Sequence, residues 1–134
     1  MRIFIGSMLA FVMVLAAAPA YSGEAVQMFR CEQEEGASEE DLMEIAQEWI
    51  AAARKTKGGE GMQARILFPV AVNATNQVDF MFLISSPSFE QWGVFWDNYH
   101  GSPAADVDDG RMGGKAVCPD SVLWEVERIE PKTQ

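Results

Sequence analysis

A single histidine, two cysteines and ten basic residues are all that this 134-residue chain offers to metal, thiol and polyanion chemistry. His100 stands alone, and Cys31 and Cys118 have no CxxC neighbour, so no zinc ligand set can be assembled. Twenty acids against ten bases give a net charge of -10 and leave no Lys/Arg stripe. Nucleic acid and anionic membrane surfaces are therefore poor partners, and the acidity reads as a solvated surface that favours solubility. Nucleophile elbow, P-loop, HExxH and dinucleotide fingerprint are all missing, which removes classical hydrolase and nucleotide chemistry. There is no internal repeat.

The one long apolar run lies at the start. Met1 and Arg2 precede Ile3 to Ala18, and the small residues Ala16-Ala17-Ala18-Pro19-Ala20 close it. This is the pattern of a secretory signal peptide, with cleavage allowed after Ala20 or after Ser22. The run is short of the roughly 20 residues a span requires and lacks a basic stop-transfer flank, so an uncleaved anchor is the weaker alternative. Residues 1–22 are thus expected to be a signal peptide, 23–130 a single domain and 131–134 a polar tail. The mature protein is expected to be periplasmic or extracellular with no membrane span, and loss of Arg2 takes its charge from -10 to -11. In an oxidising compartment an even cysteine count favours a Cys31–Cys118 disulfide, two buried free thiols being the alternative.

Along the rest of the chain, Ala25 to Cys31 is a short β-prone run. Ser38 and Asp41 form a capping box, and Leu42, Ile45, Ala46, Trp49 and Ala53 recur at helical spacing as far as Lys55. Acids open that helix, Arg54, Lys55 and Lys57 follow at its end, and Gly58-Gly59 stops it. Gln63 to Val72 and Val78 to Ile84 read as a hairpin turning at Asn73 to Asn76, with Pro69 pointing to an edge strand. Asn73-Ala74-Thr75 also matches a glycosylation sequon, although a turn explains those residues fully. Ser86-Pro87-Ser88 opens a second helix whose aromatic face carries Phe89, Trp92, Phe95, Trp96 and Tyr99. Residues 102 to 117 read as a long loop, and Val122 to Glu127 as a last strand. Asp106 to Gly110 in the loop is acidic, but Val117 stands where an EF-hand would need Glu, so it reads as solvated rather than calcium-binding.

The order βαββαβ over about a hundred residues is that of the ferredoxin-like split βαβ plait, an α+β fold with two helices on one face of a four-stranded antiparallel sheet. There the end of the first strand faces the start of the last, which places Cys31 beside Cys118. Apolar residues occupy both parities of the third strand (Val78, Phe80, Phe82 and Ile84 against Met81 and Leu83), and such two-sided burial is what a homodimer supplies.

This layout, with its aromatic second helix, resembles the dimeric α+β-barrel superfamily, which includes antibiotic-biosynthesis-type monooxygenases and many small exported proteins. The resemblance implies two sheets face to face across a dimer and a ligand site between each sheet and its helices. Trp92, Trp96 and His100, at i, i+4 and i+8, are the candidate ligand-binding set. A tryptophan stripe at this spacing is more often core than cofactor box. In the superfamily, cofactor-independent oxygenases and haem-degrading members use Asn, Trp and His, which makes His100 the candidate catalytic residue and haem the conceivable cofactor. The first strand here offers Gln27 and Arg30 but no asparagine. The expected function is a dimeric module that binds a small apolar ligand or another protein. The alternative is an oxygenase-like or haem-interacting enzyme using His100 and the tryptophans.

Overall fold

The structure, a computed structural model, describes residues 23–71 and 78–132. The signal-peptide reading and the turn at 73–76 lie outside those residues. Helix α1 (Glu39–Ala53) starts where its polar residues can serve as backbone partners. The Ser38 hydroxyl accepts from the Asp41 amide at 3.1 Å, and the Asp41 carboxylate accepts from the Ser38 amide at 3.0 Å. This reciprocal box satisfies two otherwise orphaned donors. Leu42, Ile45, Ala46, Trp49 and Ala53 are the buried residues of α1, the same five that the spacing marks. The helix ends at Ala53 rather than Lys55, so Arg54, Lys55 and Lys57 follow it instead of forming its last turn. Gly58 then turns the chain with φ 86°, and a Cβ there would lie 2.4 Å from the Phe95 amide nitrogen. Only glycine lets this turn lie against the second helix.

Strands β1 (Glu24–Gln33), β2 (Gln63–Leu67), β3 (Phe80–Ser86) and β4 (Ala116–Val126) form one sheet in the order β2-β3-β1-β4. Every pairing is antiparallel. Helix α2 (Phe89–Asp97) is capped by the Ser88 hydroxyl, and α3 (Pro103–Val107) by that of Ser102, with proline in its first turn. A π-helical turn at Asp108–Met112 continues from α3. The fold is the ferredoxin-like α+β plait. Its core lies between sheet and helices, where Phe80, Phe82 and Ile84 of β3 meet Leu42, Trp49, Phe95 and Ala104.

Several boundaries differ from the sequence reading. β2 stops at Leu67, so Pro69 lies beyond the strand it was expected to occupy, and β3 begins at Phe80 rather than Val78. The segment 102–117 is not a loop: it contains α3, the π turn and the first residues of β4, giving three helices where two were expected. Ala104 and Ala105 are buried there, small enough for α3 to pack against α1 without an obvious apolar stripe. β4 runs from Ala116 to Val126, well upstream of Val122.

Cys31 and Cys118 are bridged, with Cα atoms 4.0 Å apart, inside the limit of about 7 Å beyond which backbone must move. The bond sits at a bulge. Arg30 pairs with Asp120 and Glu32 with Val117, so Cys31 alone faces both Cys118 and Pro119. β4 is an edge strand, and a bulge on an edge is where a proline lacking its N–H is tolerated. The bridge closes a sequence separation of 87 residues. On the chain-entropy relation a loop of this length contributes at most about 4.6 kcal/mol at 25 °C. C31S and C118S are each expected to lower the melting temperature by ten degrees or more, and the double variant to match the singles. Melting of the three variants by circular dichroism checks this, and a double mutant far worse than either single would contradict it.

Candidate functional site

Helix α2 lies along β1, with Trp92 over Gln27 and Trp96 over Phe29. The Trp92 indole N–H donates to Gln27 Oε1 at 3.0 Å, and Gln27 Nε2 donates to Ser121 Oγ at 3.2 Å. The Trp96 and Phe29 rings lie 6.4 Å apart. Four helical residues advance about 6 Å and two strand residues about 6.6 Å, so the tryptophan spacing matches the same-face spacing of β1. Gln27 thus does two jobs. It fixes Trp92 and ties β1 to β4.

Beyond Trp96 the sheet and helices leave a cavity of about 230 Å³. Five aromatic residues line it: Phe29 and Phe82 from the sheet, Trp49 from α1, Trp96 from α2, and Tyr99 just past α2. Ile84, Met112, Ala116 and Cys118 complete the apolar wall, so the disulfide forms part of it. A polar chain crosses the lining. The Trp49 indole N–H donates to Tyr99 Oη at 3.4 Å, and the Tyr99 hydroxyl donates to Asp108 Oδ2 at 3.0 Å. Burial pushes the Tyr99 hydroxyl well above its ordinary pKa of 10.0; the Trp49 hydrogen bond opposes the shift, and the Asp108 and Asp109 charges add to it. The phenol therefore stays a donor, and Asp108 its acceptor.

The bases near this site are engaged elsewhere. Arg111 Nη1 reaches both carboxylate oxygens of Glu48 at 2.8 Å, and Nη2 lies 3.6 Å from Glu44. Lys115 donates to Asp41 at 3.2 Å. That contact and the Ser38 cap hold the Asp41 carboxyl below its usual range, the Ser38 backbone bond contributing most. Asp108 has no basic partner among the described residues.

The structure separates the three residues singled out in the sequence. Trp96 lines the cavity, whereas Trp92 packs beside it on Gln27 and outside its wall. His100 follows the end of α2 at Asp97, is exposed, and meets the Tyr99 ring in a T-shaped arrangement with 6.2 Å between centroids. The i, i+4, i+8 alignment fails there because Asn98 caps the helix two residues earlier. Haem does not fit this site: a cavity of about 230 Å³ is smaller than a porphyrin requires, and the one histidine lies outside it. The Trp96 Nε1 atom is buried without a hydrogen-bond partner among the described residues. Tyr99 and Asp108 carry the polar chemistry. The signal for Tyr99 was its place next to the tryptophan stripe; nothing local marks Asp108 among its acidic neighbours.

A second recess of about 340 Å³ lies between α1 and β2, lined by Met43, Ile50, Ile66 and their neighbours. Gln47 and Arg65 are its polar lining residues.

No protein-family model matches the chain, and no curated protein matches it in sequence. Similar solved structures include a dimeric ferredoxin-like protein of unknown function from Thermobifida fusca, at TM-score 0.48 and 10% identity over 81% of this chain and 97% of that one. Another is a protein of unknown function from Rhodopseudomonas palustris, at TM-score 0.44 and 15% identity over 82% of this chain and 85% of that one. These likenesses concern the fold alone.

The raised Tyr99 value sets a sign for alkaline stability. Because the folded pKa lies above the unfolded one, stability is intact below about pH 10 and falls as pH rises beyond it. Wild type is expected to lose stability above pH 10 more steeply than Y99F, in urea melts taken from pH 8 to 11. Equal slopes would show that Tyr99 does not titrate as a buried phenol.

Proposed function

We propose that this chain is an exported homodimeric binding module: two copies meet across their helix-free sheet faces, and each holds a small, largely apolar ligand in the cavity on the opposite side. The observation that carries this reading is that the sheet is apolar on both faces. On the helix-free face β1 contributes Val26 and Met28, β3 contributes Met81 and Leu83, and β2 contributes Leu67. β4 adds Val117, Val122, Trp124 and Val126, all exposed, with Trp124 at 53%. A tryptophan and several branched side chains together in water are costly to leave uncovered.

Charge supports a second copy as the cover. The chain is strongly acidic, so two copies repel unless they meet where charge is balanced. This face comes close to balance, with two bases against three acids among its described residues. Arg30 pairs loosely with Asp120 at 4.0 Å, Arg65 donates to Gln63, and the acids Glu24 and Glu32 stand at the ends of β1. Export is supported by the N-terminal apolar run and by a disulfide whose Cys31 is fully buried, a bond that persists in oxidising compartments.

The test is W124E, which places a charge on the exposed face and touches no core residue. Sedimentation equilibrium is expected to give a dimer for wild type at micromolar concentration and a monomer for W124E, with unchanged far-ultraviolet circular dichroism. A wild-type monomer at those concentrations overturns the dimer.

A further inference from the structure

Resting on the reading of the cavity as a ligand site, we infer that its ligand is a small organic cation, an alkylated or quaternary ammonium, seated among aromatic rings with its charge toward Asp108. The first ground is the wall. Phe29, Trp49, Trp96 and Tyr99 come from different elements and line one space. The faces of such rings carry negative potential, and rings converging on one volume attract a cation that is too weakly hydrated to resist desolvation.

The second ground is the carboxylate. Asp108 Oδ2 is held by the Tyr99 hydroxyl, which is itself held by the Trp49 indole, so the carboxylate is oriented on the cavity lining by a directed chain of donors. Its natural counter-charges are occupied. Arg111, in the same π turn, turns instead to Glu44 and Glu48 of α1, and Lys115 turns to Asp41. The lining therefore presents a fixed negative charge without an internal cation. An anionic ligand would meet that carboxylate and the acidity of the whole chain.

The third ground is size. A volume of about 230 Å³ holds about seven or eight heavy atoms at the roughly 30 Å³ that each water occupies in the liquid. That admits a trimethylammonium head with a short tail and excludes a folded peptide or a macrocycle. Asp108 is exposed at the rim, so a tail or a second substituent can remain in water.

Choline and its neutral isostere 3,3-dimethylbutan-1-ol serve as probes, with binding to the full mature protein followed by indole fluorescence and by proton NMR shifts of the tryptophan N–H signals. Choline is expected to bind at least tenfold more tightly than the isostere. D108N, an exposed substitution with the same shape, is expected to weaken choline about tenfold and leave the isostere unchanged. Circular dichroism confirms the fold of the variant. Equal binding of the two probes would overturn the cation assignment while leaving the cavity as an apolar ligand site. Binding of neither at 10 mM would overturn the assignment and the ligand-site reading together. Choline binding that D108N leaves unaltered would remove Asp108 and the inference with it.

Discussion

The structure depends on the alternation of one central strand. β1 is hydrogen-bonded on both sides, to β3 and to β4, so its side chains have only two directions to take. Ala25, Gln27, Phe29 and Cys31 point toward the helices, where they meet the core, Trp92, Trp96 and the disulfide partner respectively. Val26, Met28 and Arg30 point the other way. A slip of one residue would exchange the two sets, placing Arg30 in the core and Cys31 on the open face. The bridge forbids this. Cys31 reaches Cys118 only in the observed register, and the bulge that absorbs the extra residue lies at the bond itself.

That register explains why a polar residue stands in an otherwise apolar row. Gln27 faces the helices, yet its amide is paired at both ends, with Trp92 on one side and Ser121 on the other. A side-chain amide taken from water without partners costs on the order of 1 to 3 kcal/mol, so its partners decide whether it is tolerated. Here they also direct the tryptophan. With Trp92 held on Gln27, the next turn of α2 places Trp96 over Phe29, and the chain leaves the helix with Tyr99 directed into the remaining space.

Much of the fold was legible because its elements are marked by local physics. The Ser38 and Asp41 box, the five buried residues of α1 and the apolar alternation of β3 each follow from short-range spacing. The disulfide was legible because two long-range constraints, cysteine pairing and strand order, agreed. Other features rest on contacts that no local pattern reveals. α3 is one short turn whose buried residues are Ala104 and Ala105, and alanines pack where the neighbouring surface permits rather than where a stripe demands. Pro69 pointed to an edge strand, and β2 is indeed an edge, but the strand ends before that residue. At the site, Trp96 was visible from helical spacing. The departure of His100 was not, because the stop at Asn98 leaves the apolar pattern uninterrupted.

The segment from Ser102 to Lys115 is where this chain adds most to the plain plait, and the interactions that hold it are unequal. Just beyond its far end the covalent bridge fixes Cys118 beside β1. Along its length it is tied to α1 by Arg111 with Glu44 and Glu48 and by Lys115 with Asp41, all on partly exposed side chains. Pairs of that kind contribute about 0 to 1 kcal/mol each and weaken with salt. The wall formed by β4 and the disulfide is therefore rigid, whereas the cover carrying Asp108 and Met112 rests on surface charge pairs, on the Tyr99 hydrogen bond to Asp108 and on the small buried face of α3. Local opening follows the weakest set of contacts. Entry to the cavity is thus expected beneath the π turn, past Asp108, and not through the sheet.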